Sequence, residues 1–295
     1  MNKKILITGA NGLLGQKIVN QLADKGQDFI ATGRGVNRNP TCPNENYQTL
    51  DITQAKDVNN LFEKLQPTHV INTAAMTNVD ACEEDVKTCE LLNVSAVKIL
   101  WEAAKSIGAH FQLLSTDFVF DGEQGDYKEG DVPNPLSVYG KSKLDAEEIL
   151  QKDDNKNWSI VRTIIILGKT PGMSRSNILL WAKGALEKGD ALTIVDDQFR
   201  APTWADDLAW ACIKIVNLDK TGVYHICGPE TLSILEIVNR VGKYYGLNTT
   251  LIEPIKSSTL NQKAARPPKT GFDLSKAKRD LGYSPKTLEE ILELL

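Results

Sequence analysis

Tyr139 and Lys143 stand four residues apart in Tyr139-Gly140-Lys141-Ser142-Lys143, inside a segment of helical spacing over Val138–Leu150. An i, i+4 pair shares one helical face, so the ammonium can lie near the phenol. An isolated phenol titrates near ~10, and a neighbouring cation favours phenolate, bringing proton exchange closer to neutral pH. With seven tyrosines in the chain, the spacing can also arise by chance. A second group comes from the apolar run Phe111–Ser115, which continues into Thr116 and Asp117. A hydroxyl at the carboxyl end of a parallel strand is where open α/β sheets present groups to a ligand. The plain alternative for it is a capping or turn hydrogen bond.

A third constellation opens the chain. The run Lys4–Thr8 leads directly into Gly9-Ala10-Asn11-Gly12-Leu13-Leu14-Gly15 and then a helical pattern. Glycines at 9, 12 and 15 allow a tight turn, backbone approach to a pyrophosphate and close helix–strand packing. The following helix offers its unpaired N–H groups and positive dipole end. Gly9, Asn11, Gly12, Leu13, Leu14 and Gly15 are therefore candidate cofactor contacts; a ligand-free glycine turn is the alternative. The second strand, Asp28–Thr32, ends in Gly33-Arg34-Gly35 with Arg38 nearby and no carboxylate before Glu45. A guanidinium there suits a 2′-phosphate, whereas a carboxylate would suit a free ribose hydroxyl. Arg34 thus favours NADPH, with NADH still open and a solvated surface arginine as the plain reading.

These groups need elements to hold them. Short apolar runs at Lys4–Thr8, Phe29–Thr32, Val70–Ala74 and Phe111–Ser115 alternate with helical patterns at Leu13–Leu22, Val58–Leu65 and Cys89–Lys105. Such alternation predicts an α/β fold, a Rossmann-type doubly wound parallel sheet with right-handed crossovers. Further helices are expected at Val138–Leu150, Asn177–Glu187 and Trp204–Ile215, with strands at Ile160–Leu167 and Val223–Cys227. Stretches 169–176 and 257–269 read as loops, and short helical patterns return at Ser275–Leu281 and Leu288–Leu295. The expected organisation is a dinucleotide-binding domain over 1–168, with 204–228 returning to it. Stretches 169–203 and 229–295 form a smaller C-terminal substrate lobe.

Composition narrows the class without naming an activity. The 295 residues are 41% hydrophobic and 24% charged with net charge −4, which disfavours a nucleic-acid binder and suits a soluble globular chain. The longest apolar run, around Ile164–Leu167, is too short for a bilayer, and the first residues form no secretory h-region. Five scattered cysteines suit a reducing cytoplasm better than a disulfide framework, and no metal-ligand spacing stands out.

The glycine loop, the strand-end hydroxyl and the Tyr-x-x-x-Lys follow one another as in the short-chain dehydrogenase/reductases, and the chain resembles their extended branch over essentially its full length. Ile71-Asn72-Thr73-Ala74-Ala75, Leu114–Gly122 and Asp197–Thr203 resemble the dTDP-4-dehydrorhamnose reductases. That resemblance implies a catalytic triad of Thr116, Tyr139 and Lys143 and the NADPH-dependent reduction of a 4-keto-6-deoxy nucleotide sugar. Tyr139 would protonate the ketone oxygen while NADPH delivers hydride. Lys143 would lower the Tyr139 pKa and hold the nicotinamide ribose, and Thr116 would hydrogen-bond the carbonyl. It further implies Asp51 and Ile52 near the adenine, and Ala74, Ala75 and Thr77 along the nicotinamide side. Asn93 would be a structural or proton-relay asparagine.

Arg200 and Arg266 lie where extended members clamp the sugar-nucleotide diphosphate, and guanidinium–phosphate bonding gives the reason. Asp117 and Asn177 complete the implied substrate contacts. The sequence also departs from the reductases. The Arg200 position is more often small there, Arg162-Thr163-Ile164-Ile165 lacks their aromatic residue, and Pro171–Asn177 is worded differently. Two rivals follow: an NAD-dependent nucleotide-sugar epimerase or dehydratase, and a non-catalytic regulatory subunit like the beta subunit of methionine adenosyltransferase. His69, His110 and His225 fall in strands and read as structural. Trp181, Trp204 and Trp210 read as core, and Glu83-Glu84-Asp85 as a helix N-terminal charge feature. The expected partner is a nucleotide sugar, with no nucleic acid or membrane and a homodimer as a compatible assembly.

Overall fold

The computed structural model describes residues 3–173 and 176–295. Six strands in chain order, β1 (Ile5–Thr8), β2 (Phe29–Gly33), β3 (Tyr47–Thr49), β4 (His69–Asn72), β5 (His110–Thr116) and β6 (Trp158–Thr163), join Gly222–Ile226 in one sheet. Its spatial order is Gly222–Ile226, β6, β5, β4, β1, β2, β3, and every neighbouring pair is parallel. The strands are apolar on consecutive residues because both faces are covered. Ile5 and Ile7 enter the core beneath α1 (Leu13–Asp24) and the helix Ala205–Asn217. Leu6 enters the core beneath α2 (Ala55–Leu65) and the helices Ala96–Ser106 and Val138–Lys152. Each such side chain, fully buried, contributes about 1.5–3 kcal/mol.

The sheet's second half carries the chemistry. After β4 come α3 (Val79–Glu84), α4 (Val86–Glu90), a π-helical turn over Leu91–Ser95, and α5 (Ala96–Ser106). α6 (Val138–Lys152) is capped by Ser137, whose side chain accepts from Gly140 N. Beyond β6 the chain builds a smaller lobe with its own core from the helices Ile178–Glu187, Ile234–Tyr244 and Leu288–Glu293 and the paired strands Leu192–Val195 and Ile252–Ile255. Among the described helices, none is long and apolar enough to cross a membrane.

Several elements differ from the sequence expectations. The run Ile160–Leu167 is not one strand. β6 ends at Thr163, Ile165 takes φ +23°, and Ile166–Leu167 pairs with Thr203–Trp204. Thr203 holds this bend by donating its hydroxyl to Ile164 O at 2.5 Å and its N–H to Ile165 O at 2.9 Å. β3 is an edge strand of three part-exposed residues without an apolar signature. The helix Ile234–Tyr244 is unassigned above although Ile237, Val238 and Val241 repeat at helical spacing behind a Ser233 cap. The loop expected over 169–176 includes Ser174 and Arg175, which lie outside the described residues.

Trp204 is buried and Trp210 packs on the main core, but Trp181 is 46% exposed on the outer face of its helix, contrary to its core assignment. That helix, Ile-Leu-Leu-Trp-Ala-Lys-Gly-Ala-Leu-Glu, is apolar nearly all round, so type alone does not reveal which side faces inward. Of the acidic run, Asp85 caps α4, accepting from Thr88 N at 3.0 Å, and Glu83 meets the first amide of α6, that of Val138. Glu84 pairs with Lys263 of the lobe.

Candidate active site

The carboxyl ends of β1, β4 and β5 converge on one edge, where the glycine loop begins. Gly9 has φ +72°, and a Cβ there would lie 2.7 Å from Ala74 N, so only glycine lets β1 and β4 close at this height. A Cβ on Gly15 would lie 2.4 Å from Gly9 O, which sets the approach of α1 to its own loop. Gly12 is exposed at the N-cap of α1, and no side chain caps the helix there. The first-turn amides and the dipole end therefore face outward, a setting that fits a pyrophosphate. Leu14 is buried, whereas Leu13 reaches toward Gly168, where the chain crosses to the lobe.

Arg34 is exposed just after β2. It lies close enough to Asp51 to help hold that carboxyl below its ordinary range, after the hydrogen bonds from Thr53 N and Oγ1 at 3.0 and 2.8 Å. Ile52 is buried beside it. Ala74 and Ala75 are half-buried at the end of β4, and Thr77 is exposed.

Thr116 ends β5, and its hydroxyl accepts from Phe118 N at 3.2 Å and donates to Asp117 Oδ1 at 3.1 Å. Tyr139, 9% exposed, packs edge-on against Phe118 on α6. Burial pushes its phenol up, Thr116 pulls it down by hydrogen bonding, and the Asp117 carboxylate opposes ionisation. Lys143 is 3% exposed and donates to Leu114 O at 2.6 Å. Burial lowers its pKa to about 8 against the field of Glu147, which raises it. A buried ammonium needs an acceptor, and the β5 carbonyl supplies one. Thr116 is the group that acidifies the phenol here.

Two further residues, Glu147, which no sequence motif marked, and Asn93, reinforce this floor. Glu147, one turn beyond Lys143, accepts from Arg162 of β6 and from Ser115 Oγ at 2.5 Å. Its only sequence signal is the i+4 spacing from Lys143. Asn93 sits in the π-helical turn, accepting from Met76 N at 2.8 Å and donating to Met76 O at 3.1 Å and Ser142 Oγ at 3.0 Å. Its side chain pins the segment after β4 to α6, a structural use of both amide atoms.

The implied substrate contacts separate into two kinds. Arg200 is 2% exposed; it donates to Phe199 O at 2.7 Å and Pro267 O at 2.6 Å, and its Nε lies 3.6 Å from Asp117 Oδ2. These bonds turn it into the junction between the lobe strands and β5, so it does not present a fork to a diphosphate. Buried Asp117 accepts from Thr270 Oγ1 at 2.5 Å, and burial raises its pKa against the pull of Arg200. Asn177 caps the helix Ile178–Glu187, accepting from Leu179 N and Leu180 N while donating to Gly168 O. Its amide is occupied by the fold. Arg266 reaches the first domain instead, donating to Asp80 Oδ2 at 2.6 Å and to Ala264 O at 3.0 Å.

A buried neutral phenol, a hydroxyl and an ammonium beside an uncapped helix can protonate a carbonyl oxygen next to a bound dinucleotide. A family model described as the RmlD substrate binding domain matches residues 3–295. A dTDP-4-dehydrorhamnose reductase of Aggregatibacter actinomycetemcomitans is 31% identical over 303 residues, covering 98% of this chain and 97% of that protein. The crystal structure of a dTDP-4-dehydrorhamnose reductase of Clostridium acetobutylicum superposes with a TM-score of 0.87 at 32% identity, covering 99% of this chain and 97% of that one. The dTDP-4-dehydrorhamnose reductase of Bacillus anthracis, solved in complex with NADP, gives 0.86 at 26% identity, covering 100% and 98%.

Proposed function

The chain belongs to the RmlD substrate binding domain family, and from that premise we propose that it is an NADPH-dependent reductase of a 4-keto-6-deoxy nucleotide sugar, most closely dTDP-4-dehydrorhamnose going to dTDP-rhamnose. The observation that carries this reading is the meeting of Thr116, Tyr139 and Lys143 at the end of β5, beside the uncapped N-terminus of α1.

NADPH, when bound, supplies hydride to the sugar carbon. The uncapped turn at Gly12–Gly15 fits its pyrophosphate, and Arg34 its 2′-phosphate. Asp51 and Ile52 would hold the adenine side, and Ala74, Ala75 and Thr77 the nicotinamide side. Tyr139 then passes its proton to the ketone oxygen, which Thr116 orients by hydrogen bonding. The raised phenol pKa keeps that proton in place at neutral pH until a developing alkoxide takes it. Lys143, already anchored to Leu114 O, would offer its remaining N–H groups to the ribose hydroxyls. Arg266 is the arginine suited to the diphosphate, exchanging its exposed-side partner Asp80 for phosphate oxygens. Arg200 holds the junction beneath it.

In this reading residues 1–168 with 204–228 form the cofactor domain and the remainder the substrate lobe; the protein works in the cytoplasm, as a homodimer. NADPH oxidation measured against a panel of nucleotide 4-keto sugars tests the activity. Turnover with dTDP-4-dehydrorhamnose is expected. Stoichiometric NAD in the purified protein, with no net NADPH consumption, would instead mark an epimerase or dehydratase.

A further inference from the structure

Residues 34–38 follow β2 as an exposed segment without regular structure, turning at Gly35 with φ +72°. Such a segment would sample many backbone states, and a long arginine side chain presented from it would have no fixed place. Three side chains outside the segment restrain it. Asn11 of the glycine loop donates to Val36 O at 3.0 Å and accepts from Arg38 N at 2.9 Å. Thr49 of β3 donates its hydroxyl to Gly35 O at 3.0 Å. Tyr47, also of β3, accepts from Asn11 Nδ2 at 2.8 Å and donates to Gly35 O at 3.1 Å, so its hydroxyl lies between the other two anchors.

Local geometry makes room for that hydroxyl. Tyr47 pairs with Ala31 and Thr49 with Gly33 across the two parallel strands. A Cβ on Gly33 would lie 3.1 Å from the Tyr47 hydroxyl and 3.2 Å from Asn11 Nδ2, so a side chain there would crowd the junction. The edge strand thus delivers a phenol to the junction where the glycine loop meets the arginine-bearing segment.

We propose that Tyr47 is a positioning residue for cofactor selectivity: its hydroxyl joins the glycine loop to residues 34–38 and fixes where Arg34 meets the cofactor's 2′-phosphate. The proposal rests on the reading of Arg34 as the partner of that phosphate. Preorganising the segment lets the guanidinium meet the phosphate without ordering the loop at the moment of binding. NADH has no 2′-phosphate and draws no benefit from the placement, so loosening the latch acts on NADPH selectively.

Titration of purified full-length protein with NADPH and with NADH, followed by nicotinamide fluorescence, tests this without a sugar substrate. Tyr47→Phe removes two hydrogen bonds and keeps the ring, so the selectivity ratio Kd(NADH)/Kd(NADPH) is expected to fall roughly 3- to 10-fold, through NADPH alone. Arg34→Ala should lower the ratio further, and Tyr47→Phe should then add nothing in the Arg34→Ala background. If Arg34→Ala lowers the ratio while Tyr47→Phe leaves it unchanged, the latch is wrong and the Arg34 reading stands. If Arg34→Ala leaves the ratio unchanged, both fall. A drop in melting temperature for Tyr47→Phe with an unchanged ratio marks a merely structural tyrosine and overturns the proposal. Should Tyr47→Phe fail to fold, Thr49→Val loosens the same Gly35 carbonyl, and an unchanged ratio in that variant overturns it equally.

Discussion

Glu147 of α6 and Arg162 of β6 form a fully buried fork that ties the helix to the sheet. Arg162 Nε donates to Oε1 and Oε2 at 3.0 and 3.2 Å, and Nη2 donates to Oε2 at 2.6 Å. Tyr139, Lys143 and Glu147 follow at four-residue steps along α6, so the fork lies directly behind the proposed proton donor and its lysine. Breaking such a pair leaves an uncompensated charge in the core. Glu147→Gln should therefore lose about 3–5 kcal/mol of stability in urea titrations. Replacing both partners, Glu147→Met with Arg162→Met, should recover most of the loss. A single variant as stable as the wild type would show that the fork contributes nothing.

Tyr139→Phe separates chemistry from binding. The ring and its contact with Phe118 remain, and only the proton donor is removed. Turnover should fall by roughly 10²–10⁴-fold with NADPH affinity nearly unchanged, since general acid catalysis is worth about that much. Unchanged turnover in single-turnover assays would exclude Tyr139 as the proton donor.

Lys143 should give the proposed reaction an alkaline limit. Burial has lowered its pKa to about 8, so the ammonium loses its proton as pH rises through that value. Hydrogen bonding to ribose hydroxyls then loses charge assistance, and kcat/KM for NADPH should decline above about pH 8. Lys143→Met should be weaker throughout and lack that limb. A decline with the same midpoint in the variant would assign it to another group.

The parts of this arrangement that were legible in the sequence are those made from one continuous segment. β1, the glycine loop and α1 announce themselves because turn, dipole and packing all depend on adjacent residues. The four-residue step from Tyr139 to Lys143 likewise needs only one helix. What escaped depends on distant partners. Arg200 looked like a phosphate ligand, yet carbonyls at 199 and 267 and the carboxylate of Asp117 absorb its donors. Asn177 resembled a substrate contact and is consumed by its own helix. β3 carries no apolar alternation because it is a short, part-exposed edge, and Lys143 turns to Leu114 O because β5 happens to offer a carbonyl there.

Arg200 and Arg266, in and beside the smaller lobe, should respond oppositely to truncation. Arg200→Ala removes the partner of fully buried Asp117 and should cost about 3–5 kcal/mol, measured by chemical denaturation. Arg266→Ala breaks a half-exposed pair with Asp80, worth about 0–1 kcal/mol, but should raise the KM for the nucleotide sugar. A destabilised Arg266→Ala with normal KM would reverse these roles.

Acid sensitivity has a specific source in two histidines. Burial lowers the pKa of His110 to about 4, in a site formed by Asn157, Ser159 and the neighbouring His69 ring. His225 is lowered to about 3 by burial and by the Arg162 guanidinium. Its Nδ1 lies 3.0 Å from Tyr127 O, which requires the N–H on that nitrogen and leaves Nε2 facing Arg162 at 3.4 Å. Protonating Nε2 would set two cationic donors against each other. In the unfolded chain both rings take a proton near ~6.5. Below that pH the unfolded state binds more protons, so stability falls with pH until the folded values are reached. With each ring approaching about 1.4 kcal/mol per pH unit below its unfolded pKa, the pair should lose on the order of 4 kcal/mol between pH 7.5 and 5. Urea midpoints at pH 7.5 and pH 5 measure this. His110→Gln should retain a buried polar contact and flatten its share of the slope. A variant with the wild-type pH dependence would place the sensitivity among the carboxylates instead.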